Sequence, residues 1–332
     1  MGIQNYDSID IQENRPAIAL PQVALALTEL KLLEKLVVLG PEPGLDESLK
    51  LLNWESAPIE PLSAELCVKR VYLGNEFCER LLPTPVQMAE AIACTKNLGI
   101  DFSLQTPLLT DSGIKRLRLL LGMLPEGTEV IVNDWGTLRL LTTDYRGLKP
   151  LLGRLLYKMI KDPRLPSAQW TRLHPHSGRS KPFQHLLDRF GVDQIEMDVP
   201  PFTQSDQFDV GDMDLSVYLP YGYVVKGRMC RIGSLGQEDA SKFVAGHACK
   251  KECLDYVTLL ERDHQRSSDS NSLEQKESRQ KTAEALLGFQ RGNTQFYRYS
   301  QPMELKILEA IQQGRIKRLV FAGDWNENCR TH

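Results

Sequence analysis

The sequence predicts an α/β fold closed into a (β/α) barrel, TIM-barrel-like in layout. Three observations carry that reading. Short apolar or β-branched runs alternate with helical patterns along most of the 332 residues, as βαβ units of a parallel sheet do. The strand-like runs number about seven or eight, and the length suits one large barrel. The composition, 42% hydrophobic and 25% charged, is ordinary for a globular chain. An incomplete barrel and an open parallel sheet are the alternatives. No G-x-G-x-x-G follows the first strands and no P-loop is present, which disfavours a nucleotide-binding open sheet.

The elements are read in chain order. Residues 1–17 are polar and expected to be flexible, and 18–330 form one barrel-like domain. PQVALALTELKLLEKL has apolar residues at helical spacing, and LVVLGPEPG reads as a buried strand ending in a turn. VKRVYLG (68–74) is a strand stopped by Gly74. TPVQMAEAIACTKNLG (84–99) is a helix: Thr84 and Pro85 are start signals and Gly99 a stop signal. IDFSLQT is a strand, TDSGIKRLRLLLGML a helix, TEVIVND (128–134) a strand and GLKPLLGRLLYKMIKD a helix. KPFQHLLDRFG is a short helix and DQIEMDV a strand, followed by LSVYLPYGYVV (215–225), a strand with a break at Pro220. A polar, serine-rich insertion occupies about 261–282. TQFYRYS, PMELKILEAIQQG and RLVFAGDW close the chain as strand, helix and strand.

Charge and targeting signals narrow the function classes. The net charge of −3 and pI of about 6.1 do not suit a general polyanion binder. No apolar run long enough to span a bilayer appears, and MGIQNYDSIDIQENRP lacks the apolar core of a signal peptide. The expected location is therefore the cytoplasm. In that reducing compartment the seven cysteines, an odd number, fit metal or redox chemistry better than a disulfide framework.

Cys94, mid-helix, and Cys67, at a strand start, read as packing thiols. Cys329, near the terminus, is a spare ligand if the tail folds back. Cys230, Cys249 and Cys253 lie within CRIGSLGQEDASKFVAGHACKKEC, the last two spaced C-x3-C among glycines and lysines. Glycine lets backbone wrap a compact object, and nearby lysines favour thiolates. Cys78, four residues past Gly74, is the best fourth ligand, since Cys78 and Cys230 both follow strands and would share the C-terminal rim of a barrel. Four thiolates from two distant segments suit a [4Fe–4S] cluster or zinc, and His247 is an alternative zinc ligand.

Other residues carry weaker signals. Asn133 and Asp134 end a strand on the same rim; they are either catalytic, orienting substrate or taking a proton, or a turn-forming pair that caps the next segment. Glu196 and Asp198 alternate at strand spacing and share one face. His174 and His176 sit in a Pro-containing loop. Residues 139–191 hold eleven Lys/Arg against three Asp/Glu, a basic surface that would meet RNA, a partner or a membrane surface, or a solvated face. Neither H-E-x-x-H nor G-x-S-x-G is present, which leaves a peptidase reading without a nucleophile motif.

VYLGNEFCERLLPTPVQMAEAIA followed by IDFSLQTPLLT resembles the opening of the U-thirty-two peptidase (collagenase-like) family. The closest branch is the one serving oxygen-independent ubiquinone hydroxylation. There a cysteine follows the YLG strand, and three more follow a GR motif, the last two spaced C-x3-C. Here Cys78 follows YLG, Cys230 lies in KGRMC, and Cys249 and Cys253 lie in CKKEC; VIVNDWG (130–136) also resembles the family. The likeness spans roughly residues 65–255; the Cys230–Cys249 spacing is longer than in that branch, and 137–191 does not match it. The resemblance implies a barrel-like fold and a [4Fe–4S] cluster on Cys78, Cys230, Cys249 and Cys253. It also implies a paralogous partner subunit in a heterodimer, and a small-molecule (quinone-precursor) or RNA-base substrate. A zinc- or cluster-stabilised binding protein is the second reading and a peptidase the third.

Overall fold

The computed structural model describes residues 20–55, 59, 62–162, 169, 176–227, 229–242, 249–260, 286–323 and 330–331. The expected flexible N-terminus and the polar insertion at about 261–282 lie outside the described residues.

Eight parallel strands close into a barrel. They are β1 (Gln22–Leu27), β2 (Val68–Gly74), β3 (Asp101–Gln105), β4 (Glu129–Val132), β5 (Lys149–Leu152), β6 (Gln194–Met197), β7 (Asp214–Leu219) and, last, Arg318–Phe321. The first seven pair in chain order, and the eighth pairs with β7 on one side and β1 on the other. The helices α1 (Leu30–Leu36), α2 (Leu45–Leu52), α3 (Pro85–Leu98), α4 (Asp111–Leu121), α5 (Trp135–Asp144), α6 (Lys181–Arg189) and α7 (Gln301–Gln312) lie between them, with α1 and α2 both between β1 and β2 and only a 3-10 turn, Ser205–Phe208, described between β6 and β7. The α3 signals act as expected: Thr84 and Gln87 form a reciprocal capping box, Pro85 opens the helix, and Gly99 ends it at φ 65°.

Three expected elements differ. Gln22–Leu27 is a strand, and the helix begins only at Leu30. Val37–Leu39 is a short 3-10 turn with Val38 76% exposed, not a buried strand. Within GLKPLLGRLLYKMIKD, Lys149–Leu152 is β5; the helix of that unit is α5, one segment earlier. Both misread strands are buried over nearly their whole length. A strand covered on both faces shows no alternation, so leucine spacing cannot separate it from a helix.

The run 215–225 does break at Pro220. β7 ends there, and β8 (Tyr221–Lys226) leaves the barrel. It joins β9 (Tyr256–Leu259), β10 (Gly288–Arg291), β11 (Thr294–Arg298) and Arg330–Thr331 in a second sheet, with β8, β11, β10 and β9 antiparallel neighbours in that order. Apart from Arg330–Thr331, this sheet is one excursion between β7 and the last barrel strand, and no sequence pattern announced it as a separate layer. Phe77 from the barrel docks it, meeting Tyr223 edge-on at 5.4 Å and Phe296 at 5.2 Å.

The main core lies between the barrel and its helices. A second core fills the barrel with side chains such as Tyr72, Ile131, Leu151 and Tyr218. At the N-terminal end of the strands Arg318 donates to Glu129 at 2.8 and 3.2 Å and to the Tyr72 hydroxyl at 2.9 Å. Arg70 beside it donates to Ser103 and Asp101. Among the described residues no helix is long and apolar enough to cross a membrane.

Candidate functional site

Cys78 reaches the C-terminal mouth of the barrel through a turn that its neighbours dictate. Gly74 ends β2 at φ 130°, and a Cβ there would stand 2.2 Å from the Gln105 carbonyl oxygen, so only glycine fits. The Asn75 side-chain oxygen then accepts the N–H groups of Phe77 and Cys78, both at 2.9 Å. Cys78 is thereby aimed at the second sheet.

The other three thiols come from that sheet's loops. Cys230 follows β8, and its sulfur accepts the Gly233 N–H at 3.2 Å. The Cys249 sulfur accepts the Lys251 N–H at 3.3 Å, in a turn where Lys251 takes φ 63°. Cys253 is buried in the next turn, its carbonyl held by Arg291 at 2.8 Å. Gly292 passes so close that a Cβ would lie 3.3 Å from the Cys253 Cβ and 3.9 Å from the Cys230 sulfur. The structure therefore brings Cys78, Cys230, Cys249 and Cys253 to one cleft of about 770 Å³.

Burial pushes the Cys253 thiol up to about 12 and raises those of Cys78 and Cys230, with the neighbouring thiols adding to the rise. Backbone N–H groups on Cys78 and Cys230 oppose it. Mutual repulsion of this kind is what a shared cation relieves. The donor set is purely thiol, drawn from two segments, with N–H donors on three of its sulfurs; that chemistry fits a thiolate-bound cluster or zinc. Among the described residues no three His, Cys, Asp or Glu side chains form a tight single-ion group. His247 and Cys329, the alternative ligands, lie outside the described residues, as does His174.

The cleft runs from the thiols down to the barrel mouth, where Ala26, Gln105 and Ala322 line it. At its floor Arg154, 2% exposed, donates to both Glu76 oxygens, to Asp198 at 2.5 Å and to the Tyr221 carbonyl at 3.2 Å. Its guanidinium lies 3.7 Å over the Tyr218 ring. Lys161 donates to the other Asp198 oxygen at 2.6 Å, and burial lowers its pKa to about 8. Deeper, Gln105 donates to the Tyr218 hydroxyl at 2.6 Å, which donates to Glu196 at 2.9 Å. Burial, then the charge of Glu76, raises Glu196 to about 8, so it is mostly protonated at neutral pH.

Glu196 and Asp198 thus do share the inner face, as their spacing suggested. Sequence reasoning missed Arg154, Glu76 and Gln105. The available signal was a lone arginine in the apolar run LLGRLLY, just past a barrel strand. Asn133 and Asp134 turn out to hold loops. Asn133 is buried, donates to the Thr106 carbonyl at 3.0 Å and accepts the Leu155 N–H at 3.1 Å. Asp134 caps α5 by accepting the Gly136 N–H at 2.8 Å, and neither residue lines the cleft. Within residues 139–191, Arg139, Arg146, Lys158, Lys181 and Arg189 are exposed, while four other cations are engaged. Arg154 and Lys161 are buried at the mouth, Lys149 pairs with Asp193, and Arg179 pairs with Asp206 and Asp209. His176 is buried against the Tyr157 hydroxyl, away from the cleft.

No family model and no curated protein matches the chain. Among solved structures, a C-terminal domain assigned to a chitinase of Desulfitobacterium hafniense DCB-2 is similar over 93% of this chain and 96% of that one, at 8% identity and a TM-score of 0.38. A likeness that slight says nothing of this chain's chemistry.

Proposed function

We propose that this chain is an iron–sulfur protein of the U-thirty-two peptidase type, acting in oxygen-independent hydroxylation of a small molecule or RNA base. One observation supports the reading: a thiol from the front of the barrel lines the same substrate-sized cleft as three from the excursion. In this reading Cys78, Cys230, Cys249 and Cys253 hold a [4Fe–4S] cluster. Such a cluster supplies one-electron chemistry at a potential set by burial and by hydrogen bonds to its sulfurs. The chain's own residues do the rest. The N–H groups of Gly233 and Lys251 hold the Cys230 and Cys249 sulfurs in place. Phe77, Leu81 and Phe296 form an apolar wall that keeps water from that side of the cleft, and Gln105 offers a polar group at its floor. A cytoplasmic location and a paralogous subunit belong to the same proposal.

A zinc-stapled binding protein is the second reading; the cleft of about 770 Å³ beside the thiols favours catalysis over a closed structural site. A peptidase ranks third, because the described lining of the cleft includes neither serine nor histidine. The test is anaerobic purification with iron, acid-labile sulfide and zinc analysis and a visible spectrum. Broad absorbance near roughly 400 nm that dithionite bleaches is the expected result. A colourless protein with stoichiometric zinc overturns the cluster and moves the assignment to the second reading.

A further inference from the structure

The charge of the cleft is lopsided. Five basic residues line it against two acids, Glu76 and Glu79. Both acids are already engaged. Glu76 is held by Arg154, and Glu79 accepts the backbone N–H and hydroxyl of Thr110. Arg154 in turn is consumed by Glu76 and Asp198. Arg291 is turned to the Cys253 carbonyl. Lys226 differs from these. It ends β8, is half-buried, lines the cleft, and its ammonium makes no hydrogen bond or ion pair among the described residues. Exposed Arg80 and Lys251 add positive charge at the same opening.

An ammonium partly withdrawn from water and without a partner gains from an incoming anion. The walls restrict what that anion can be. Phe77 and Phe296, 7% and 5% exposed, line it with aromatic carbon, and Leu81 and Met229 continue the apolar surface. Bare phosphate or another small inorganic ion would leave that surface wet. A molecule that satisfies both features has an apolar ring body and one anionic group.

We propose that the cleft binds an organic anion, with its carboxylate or phosphate on Lys226 and its ring body against Phe77 and Phe296. This rests on reading the cleft as the substrate site, and it makes the substrate an anionic small molecule rather than a nucleic acid. The competing role for Lys226 is to balance thiolate charge alone.

The test is anaerobic equilibrium binding of 2-naphthoate, 2-naphthyl phosphate and the neutral 2-naphthalenemethanol to the full chain, with iron and sulfide measured on the same sample. At least one anion should bind about tenfold or more tighter than the alcohol, the scale of one charge-assisted hydrogen bond. Lys226→Met should abolish that preference and leave the alcohol's affinity unchanged, and Lys226→Arg should restore it. Circular dichroism of each variant separates lost recognition from lost folding. Equal binding of anion and alcohol, or a preference that survives Lys226→Met, overturns the proposal. So does displacement of the naphthoate by a short single-stranded RNA at lower concentration than by free carboxylate. Anion preference in a sample devoid of iron and sulfide keeps this proposal and removes the cluster; an intact cluster without anion preference does the reverse.

Discussion

The two ends of the barrel are plugged by similar chemistry, yet they do different work. At the N-terminal end Arg318 and Arg70 surround Glu129; at the C-terminal end Arg154 and Lys161 surround Glu76 and Asp198. The lower plug is built on the strands themselves: Arg318 and Glu129 open theirs, and Arg70 lies early in β2. The upper plug is built on the segments that follow β2, β5 and β6, and two of its members, Glu76 and Arg154, line the cleft. Groups fixed on strands secure the ring, whereas groups carried on βα connections can face a ligand and can change without disturbing it.

The sharpest way to break this comparison uses two cysteines at opposite ends of one strand. Cys67 precedes β2 and Cys78 follows it. Cys78→Ser should remove most of the iron from anaerobically purified protein, and Cys67→Ser should leave it unchanged. Equal iron in both variants would take the metal away from the mouth. The next effect is on stability. Arg154→Met strips Glu76 of its partner and leaves Asp198 only Lys161, and should cost about 3–5 kcal/mol in urea unfolding. Arg318→Met leaves Glu129 beside Arg70 at 3.5 Å and should cost less, about 1–3 kcal/mol. A reversed order would mean that the lower plug bears more of the fold than the upper.

A separate, pH-dependent effect concerns Glu196, which lies between the plugs. Its carboxyl is raised to about 8 by burial, so from about 4.5 to about 8 the folded chain holds a proton that the unfolded chain has released. Stability therefore falls as pH rises through that window, by at most about 1.4 kcal/mol per pH unit from this group. Glu196→Gln should flatten that part of the profile, measured as urea midpoints at pH 5, 6, 7 and 8. An unchanged slope would place the titration elsewhere.

The sequence shows some of this directly and hides the rest for physical reasons. Strands bounded by glycine or by helix caps, such as VKRVYLG before Gly74, announce themselves. QVALAL and KPLL do not, because burial on both faces erases their alternation. Cys78 was legible at the mouth because it follows a barrel strand, and the ends of barrel strands share one rim. Cys230 reaches the same cleft by another route: it follows β8, which has left the barrel, so the second sheet and not the barrel rim brings Cys230, Cys249 and Cys253 to it. Arg154 was hidden inside leucines that read as a helix, and its partners lie 78 and 44 residues away, a distance no local pattern spans. Asn133 and Asp134 show the limit in the other direction. A polar pair at a strand end allows a catalytic or a capping reading, the sequence does not choose, and in the fold the pair makes cap and loop bonds between neighbouring connections.

Three of the four thiols sit on a single detour of the chain, and the fourth is separated from the first of them by about 150 residues. Long loops are only slightly more expensive to close than short ones, but the closure is still demanded before any shared ion can be grasped. An ion held by all four would rivet the detour to the ring, and its departure would loosen that joint while leaving the eight-stranded wall whole.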